Sequence, residues 1–295
     1  MKTGFLLIVF VLAGVACTTV VDFDIPLDKP KVVVNSLFSP DSVWRIQISR
    51  SNTILANSAG SYFLPVTDAI VLLLDQDNQL LETFTGFSDQ FFTYSYSGKS
   101  KPMPGQTYHL RVSINDEPDI RVVNTVPTQV PITSIEIDSS GVMDGEPIKM
   151  HVSFKDPVMD KNYYTVKIIE DAVYFVNNDS VRLTQEIYFE VIDQSLGNDE
   201  RGQEKLINDN RFNGKDYTFN LKLYRRYSYG VQASEQHTRV LLLNVSEEYY
   251  KYFSTKNLQD YTNGDPFAQP VQVFTNVENG LGIFAAYSSS VIELN

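Results

Sequence analysis

The sequence predicts a mainly β protein, with an N-terminal immunoglobulin/transthyretin-like β-sandwich followed by a second β-rich domain that carries one inserted helix. Three observations predict it. From residue 31 onward, apolar and polar residues alternate over short runs bounded by Pro, Gly, Asn and Asp, which is the period of half-buried strands. No helical periodicity separates the first seven runs, so they read as antiparallel sheets rather than βαβ units. A hydrophobic content of 43% and an aromatic content of 12% are enough for real cores.

The chain opens with a different kind of segment. Residues 1–16 read as a bacterial lipoprotein signal peptide: Lys2 gives the positive start, residues 5–12 the apolar run, and Gly14, Val15 and Ala16 the small residues before a cut. The apolar run is shorter than the ~20 residues needed to cross a bilayer. The expected mature protein begins at Cys17, lipidated there and held to the membrane by its acyl chains. Cys17 is the single cysteine, so neither a disulfide nor a redox pair is expected. The formal charge of −12 argues against nucleic acid or an anionic lipid surface as a partner, since both need clustered Lys and Arg.

Residues 17–30 form the lipidated tether, kept extended by Pro26 and Pro30. Strands are expected at 32–34, 43–48, 69–74, 80–84, 91–96, 108–114 and 120–126, giving a β-sandwich domain over 31–127. Asp75 to Asn78 fits a hairpin turn; as a calcium loop it lacks the glycine and distal glutamate of an EF-hand. Pro102 to Gly105 predicts a second turn, with Gly105 at positive φ. Pro127 and Pro131 interrupt any ladder and mark the domain boundary. The second domain, 128–295, is expected to place strands at 132–137, 148–154, 163–169, 172–176, 181–191, 217–223, 227–233, 240–243, 271–274 and 283–294. Its helix is predicted near 246–261. Ser246 is the N-cap, Glu247 and Glu248 sit at the positive end, and Tyr249, Tyr250, Phe253, Leu258 and Tyr261 form a face that packs on the second sheet or docks another protein.

The polar stretch 192–216 is long for a connection inside a compact domain, which makes it a candidate for function or for flexibility. Asp193, Asp199, Glu200, Arg201 and Arg211 there, with Tyr249 and Tyr252 of the helix, are the candidate partner or ligand contacts. Catalytic chemistry finds little support. His109 and His151 alternate with core positions, His237 precedes a strand, and none has a second ligand at zinc spacing. The chain carries no G-x-S-x-G elbow, P-loop or dinucleotide fingerprint, and no catalytic residue, metal or cofactor is assigned. Acidic pairs such as Asp156 and Asp160 suit strand connections better than a glycosidase groove. Trp44 reads as a buried strand residue, whereas Tyr249, Tyr250 and Tyr252, or Tyr224, Tyr227 and Tyr229, could form a sugar platform.

Several motifs together resemble a known family. They are the Asp22-Phe-Asp-Ile-Pro26 tether after the lipobox cysteine, the Lys31-Val-Val-Val-Asn35 first strand, the Pro104-Gly-Gln-Thr-Tyr108 turn, Phe154-Lys-Asp-Pro157 before Asn162-Tyr-Tyr164, Asp265-Pro-Phe267, and Asn276-Val-Glu-Asn-Gly-Leu-Gly-Ile-Phe284. The chain resembles the outer-membrane lipoproteins of domain-of-unknown-function family four-two-four-nine over nearly its whole mature length. The resemblance implies a β-rich outer-membrane lipoprotein found beside SusC-like TonB-dependent transporters, with an accessory or lid-like role at the transporter mouth. It brings no catalytic residue. Gly280 and Gly282, read on their own, allow a tight turn before the last strand. The expected function is therefore non-enzymatic partnership with an outer-membrane transporter. A free-standing binder of glycan or peptide is the alternative, and a hydrolase the third reading.

Overall fold

The computed structural model describes residues 29–52, 64–88, 94–138, 147–158, 161–176, 179–192, 202–224, 234–262 and 267–294. The protein is mainly β, with 57% of the described residues in strands and 7% in helix. β1 (Val32–Phe38) and β2 (Arg45–Arg50) pair as antiparallel neighbours, and the sheet continues through β7 (Tyr94–Ser97) to β6 (Thr85–Ser88), with the short β3 (Leu64–Pro65) also on β2. A second sheet faces it in the order β5 (Leu80–Thr83), β4 (Ile70–Leu74), β8 (Thr107–Ser113), β9 (Ile120–Thr125). Period-two alternation decides which side chains turn inward: Val32 and Val34, Val71 and Leu73, Leu110 and Val112 share one core. Each such side chain contributes about 1.5–3 kcal/mol on burial.

Trp44 sits at the centre of that core, fully buried, with Phe38 at 4.6 Å, Tyr108 edge-on at 4.9 Å and Phe284 stacked at 6.1 Å between ring centroids. The run expected at 80–84 is divided. β5 ends at Thr83, buried Phe84 turns the corner, and β6 begins at Thr85 in the opposite sheet. The expected turns form: the Asp75 carboxylate accepts hydrogen bonds from the Asp77 and Gln79 amides at 2.9 and 2.8 Å, and Gly105 adopts φ +76°. Asp75 thus caps its own turn.

Beyond the prolines a second sandwich forms. One sheet contains β13 (Asp179–Glu186), β12 (Tyr163–Val176), β17 (Glu235–Val245) and β18 (Leu281–Leu294), with β15 (Ile207–Asn208) on β12; the other runs β10 (Ile132–Asp138), β11 (Ile148–Lys155), β16 (Asp216–Tyr224), β14 (Tyr188–Val191). The runs expected at 163–169 and 172–176 are one strand, β12, and the run expected at 181–191 breaks at buried Ile187 between β13 and β14. His237, expected before a strand, lies inside β17. Residues 271–274, expected as a strand, instead run beside the helix, where Val271 O accepts from Gln259 Nε2 at 3.2 Å and Phe274 N donates to Thr255 Oγ1 at 2.9 Å. The run expected at 227–233 lies outside the described residues.

The last strand departs from the division at residue 127. β18 pairs antiparallel with β17 and parallel with β1, so one ten-stranded sheet passes through both sandwiches. Its even face serves both cores: Phe284 and Ala286 complete the first, while Ile292 and Leu294 pack on the second. Between them, serines fasten the linker: Ser288 Oγ donates to Pro127 O at 2.6 Å and Ser290 Oγ accepts from Ile132 N at 3.1 Å. Gln129 and Asn244 add side-chain bonds to Ser289 O and Thr128 O at 2.7 and 2.9 Å.

The segment 276–284 closes the fold. Asn276 acts as a strand partner for Phe284, donating from Nδ2 to its carbonyl at 2.8 Å and accepting at Oδ1 from its N–H at 3.1 Å. Val277 enters the first core, and Glu278 bridges to Arg121. Gly282 has φ +102° and lies so close to the Val34 carbonyl that a Cβ would collide with it. Only glycine lets β18 approach β1 this closely.

Helix α1 (Glu247–Thr262) follows β17 directly. Ser246 caps it, accepting from Tyr249 N at 3.3 Å, and Glu247 and Glu248 occupy the first turn. Its first two turns pack on the odd face of the long sheet through Tyr249, with Tyr250 and Phe253, against Leu243, Val245, Ile283 and Ala285.

Candidate functional site

The seam between the sandwiches holds a cleft of about 480 Å³. Three segments build it: the end of β9 with the linker at 123–128, the entry to β12 at 161–163, and the passage from β17 into α1 at 244–248. The shared sheet and the serine-fastened linker bring them together.

Its walls are polar and mutually bonded. Tyr163 donates from its hydroxyl to Glu247 Oε1 at 3.0 Å, and Lys251 reaches the same carboxylate at 3.1 Å. Lys251, then Tyr163, holds the Glu247 carboxyl below the usual range. Lys161 lies over the Tyr163 ring at 5.3 Å, and contact with that hydroxyl raises its pKa. Asn124 Nδ2 donates to Glu248 at 2.6 Å, while Asn124 Oδ1 accepts from Ala286 N at 3.2 Å. Asn162 N donates to Asp209 Oδ2 at 2.8 Å, but Asn162 Oδ1 is buried without a hydrogen-bond partner among the described residues. Leaving such an acceptor unmet costs about 1–3 kcal/mol. The Glu247 and Glu248 carboxylates leave one helical turn and are tied to different neighbours, which is not the opposed pair a glycosidase holds across its groove. Amides, carboxylates, an ammonium and an aromatic ring suit hydrogen-bonded recognition of a polar ligand.

The expected contact residues are distributed differently. Tyr249 is 3% exposed and donates to Glu204 Oε1 at 2.8 Å, so it serves the helix–sheet core instead of a contact surface. Burial pushes the Glu204 carboxyl up and the Tyr249 hydroxyl well above its ordinary value. Tyr252 is half-buried against Phe253, edge-on at 5.2 Å. Arg211 is exposed in the turn after β15. Asp193, Asp199, Glu200 and Arg201 lie outside the described residues, as does Cys17. The second half of the 192–216 stretch is built structure: Ile207 and Phe212 are buried, and Asn208 Nδ2 reaches Tyr250 at 3.4 Å. That stretch and the helix do meet, through Glu204 and Asn208. Asp156 is structural as well. It is buried and accepts from the Tyr164 hydroxyl at 2.6 Å and from Gly214 N at 2.7 Å. His151 faces Asn220 Oδ1 at 2.7 Å across two strands. Among the described residues, no group of three or more His, Cys, Asp or Glu side chains could hold a metal ion, and no helix is long and apolar enough to cross a membrane.

The cleft residues Asn124, Asn162 and Glu248 lie in three distant stretches, so no local motif announces them. The exposed positions are more telling. Leu258 and Tyr261, predicted to pack, are 51% and 72% exposed near the end of α1, and Phe267 is 93% exposed just beyond.

These features define a mainly β, two-sandwich protein closed by its last strand, with a polar cleft at the seam. The chain belongs to the family described as Domain of unknown function (DUF4249), whose profile matches residues 18–293. Comparison with curated proteins gives no match.

Proposed function

We propose that this chain is a non-enzymatic, lipid-anchored lipoprotein of the bacterial outer membrane that works as an accessory, ligand-capturing partner of a SusC-like TonB-dependent transporter. The observation that carries the reading is the pair of exposed apolar side chains Leu258 and Tyr261, near the end of a helix whose first turns are locked to the sheet. Large exposed apolar side chains on a rigid support suit a protein contact. The anchor is Cys17, joined to β1 by the tether. In the test, membranes carrying the C-terminally tagged chain are extracted in mild detergent and the co-purifying proteins identified by mass spectrometry. A stoichiometric β-barrel transporter is expected, and Leu258→Glu with Tyr261→Glu should lose it while the variant stays folded. Recovery of the wild-type chain alone, under conditions that preserve known envelope complexes, overturns the reading.

One observation favours a second reading, a free-standing binder of glycan or peptide: the unmet Asn162 Oδ1 in the polar seam cleft. Saturable binding of a glycan or peptide, weakened by Lys161→Ala, supports it. Binding indifferent to that change counts against the cleft.

A further inference from the structure

One wall of the seam cleft is the open edge of a sheet. β9 is the last strand of its sheet and pairs only with β8, Thr125 opposite Thr107 and Val123 opposite His109. Val126 N donates to Gln106 O at 2.9 Å, and Val126 O accepts from Gly105 N at 2.8 Å. Backbone groups alternate along an antiparallel strand, so Asn124 and Val122 likewise turn theirs to β8, whereas Thr125, Val123 and Arg121 turn theirs away from it. The outward carbonyl of Arg121 is met by Glu278 N at 2.9 Å, in an isolated antiparallel bridge. The chain does not carry this pairing further, because Asn276 bonds to Phe284 instead.

The next two outward positions, Val123 and Thr125, line the cleft, and their backbone groups have no partner among the described residues. They lie about 6.8 Å apart, the distance at which every second residue of an extended chain presents its N–H and C=O to one side. Such an edge takes an added strand. The charges around it are unequal. Glu247 is paired with Lys251 at 3.1 Å, whereas half-buried Glu248 accepts from Asn124 Nδ2 at 2.6 Å and has no salt bridge among the described residues.

We propose that the seam cleft takes an extended basic peptide as an added strand on the β9 edge at Val123 and Thr125, with a lysine or arginine side chain on Glu248. This deepens the peptide-binder reading given above and rests on it. The test titrates the full chain by calorimetry with acetyl-Thr-Val-Lys-Thr-Val-Thr-amide and with two isomers of it, one N-methylated on alternate residues from the first, the other on alternate residues from the second. Only one set of amides can face β9, so one isomer should lose about tenfold or more in affinity while the other stays near the parent peptide. Val123→Pro removes an outward N–H and spares the bonds to β8, and with native circular dichroism it should weaken the parent peptide about fivefold. Glu248→Gln should weaken it about fivefold too, but leave a norleucine-for-lysine version unchanged. Equal responses to the two methylation patterns, or no effect of Val123→Pro, overturn strand addition; if Lys161→Ala still weakens the peptide, the broader cleft reading survives. Absence of saturable peptide binding also overturns it, and a glycan whose binding Lys161→Ala weakens would then leave only the broader reading standing.

Discussion

Replacing Gly282 with alanine tests how the fold is closed. At φ +102° a side chain is strained whatever the space around it, which costs about 1–3 kcal/mol. The added Cβ would also strike the Val34 carbonyl and come within 2.9 Å of Asn35 Oδ1, so β18 must move away from β1. That movement carries Phe284, two residues on, out of its place against Trp44 and Phe38. Together these effects should lower stability by at least about 3 kcal/mol. Gly105 is the control. It also has positive φ, +76°, but nothing lies within 4 Å of its virtual Cβ, so Gly105→Ala should cost only about 1–2 kcal/mol. Urea unfolding followed by Trp44 fluorescence measures both. Equal losses for the two variants would refute the close-approach reasoning.

Further outcomes follow from the same contacts. Asn276→Ala should cost about 1–3 kcal/mol, because it strips both backbone groups of Phe284 of their partner; a urea midpoint unchanged from wild type would contradict this. Asp156→Ala leaves the Tyr164 hydroxyl and Gly214 N–H without their acceptor inside the protein and should cost about 2–5 kcal/mol; a thermal midpoint within a degree of wild type would count against it. Glu204 has a folded-state pKa raised by burial, so the native state binds its proton more tightly than the unfolded chain. Its stabilising contribution is present below the unfolded carboxylate range and is lost as pH rises through the raised native value. The stability of Glu204→Gln relative to wild type should therefore grow as pH rises above the unfolded carboxylate range, and parallel pH–stability curves would refute the assignment.

Much of this fold was legible because short strands announce themselves by alternation. The Asp75 and Gly105 turns and the helix with its Ser246 cap rest on interactions within a few residues, and Trp44 was readable as a core residue from its side chain and its apolar surroundings, although Tyr108 and Phe284, which bury it, are far off in sequence. The parallel pairing of β1 with β18 joins Val34 to Gly282, and no local pattern encodes contacts at such separation. For the same reason the boundary at residue 127 marks the change of core but not the return of Phe284 to the first one. The corner at Phe84 was hidden because a strand that switches sheets keeps its alternation. The helix face was overextended: Tyr249, Tyr250 and Phe253 pack, but Leu258 and Tyr261 remain exposed. At the candidate site, residue chemistry was visible but proximity was not. Tyr249 looks like a binding tyrosine until Glu204 takes its hydroxyl in the interior.

The central structural claim is that β18 makes two sandwiches into one cooperative body. Trp44 is the single tryptophan and reports the first core, while far-ultraviolet circular dichroism reports the strands of both. Equilibrium unfolding in urea should give coincident transitions by the two probes, with one midpoint and one slope. A Trp44 transition complete while a substantial part of the strand signal persists, or the reverse, would contradict the claim.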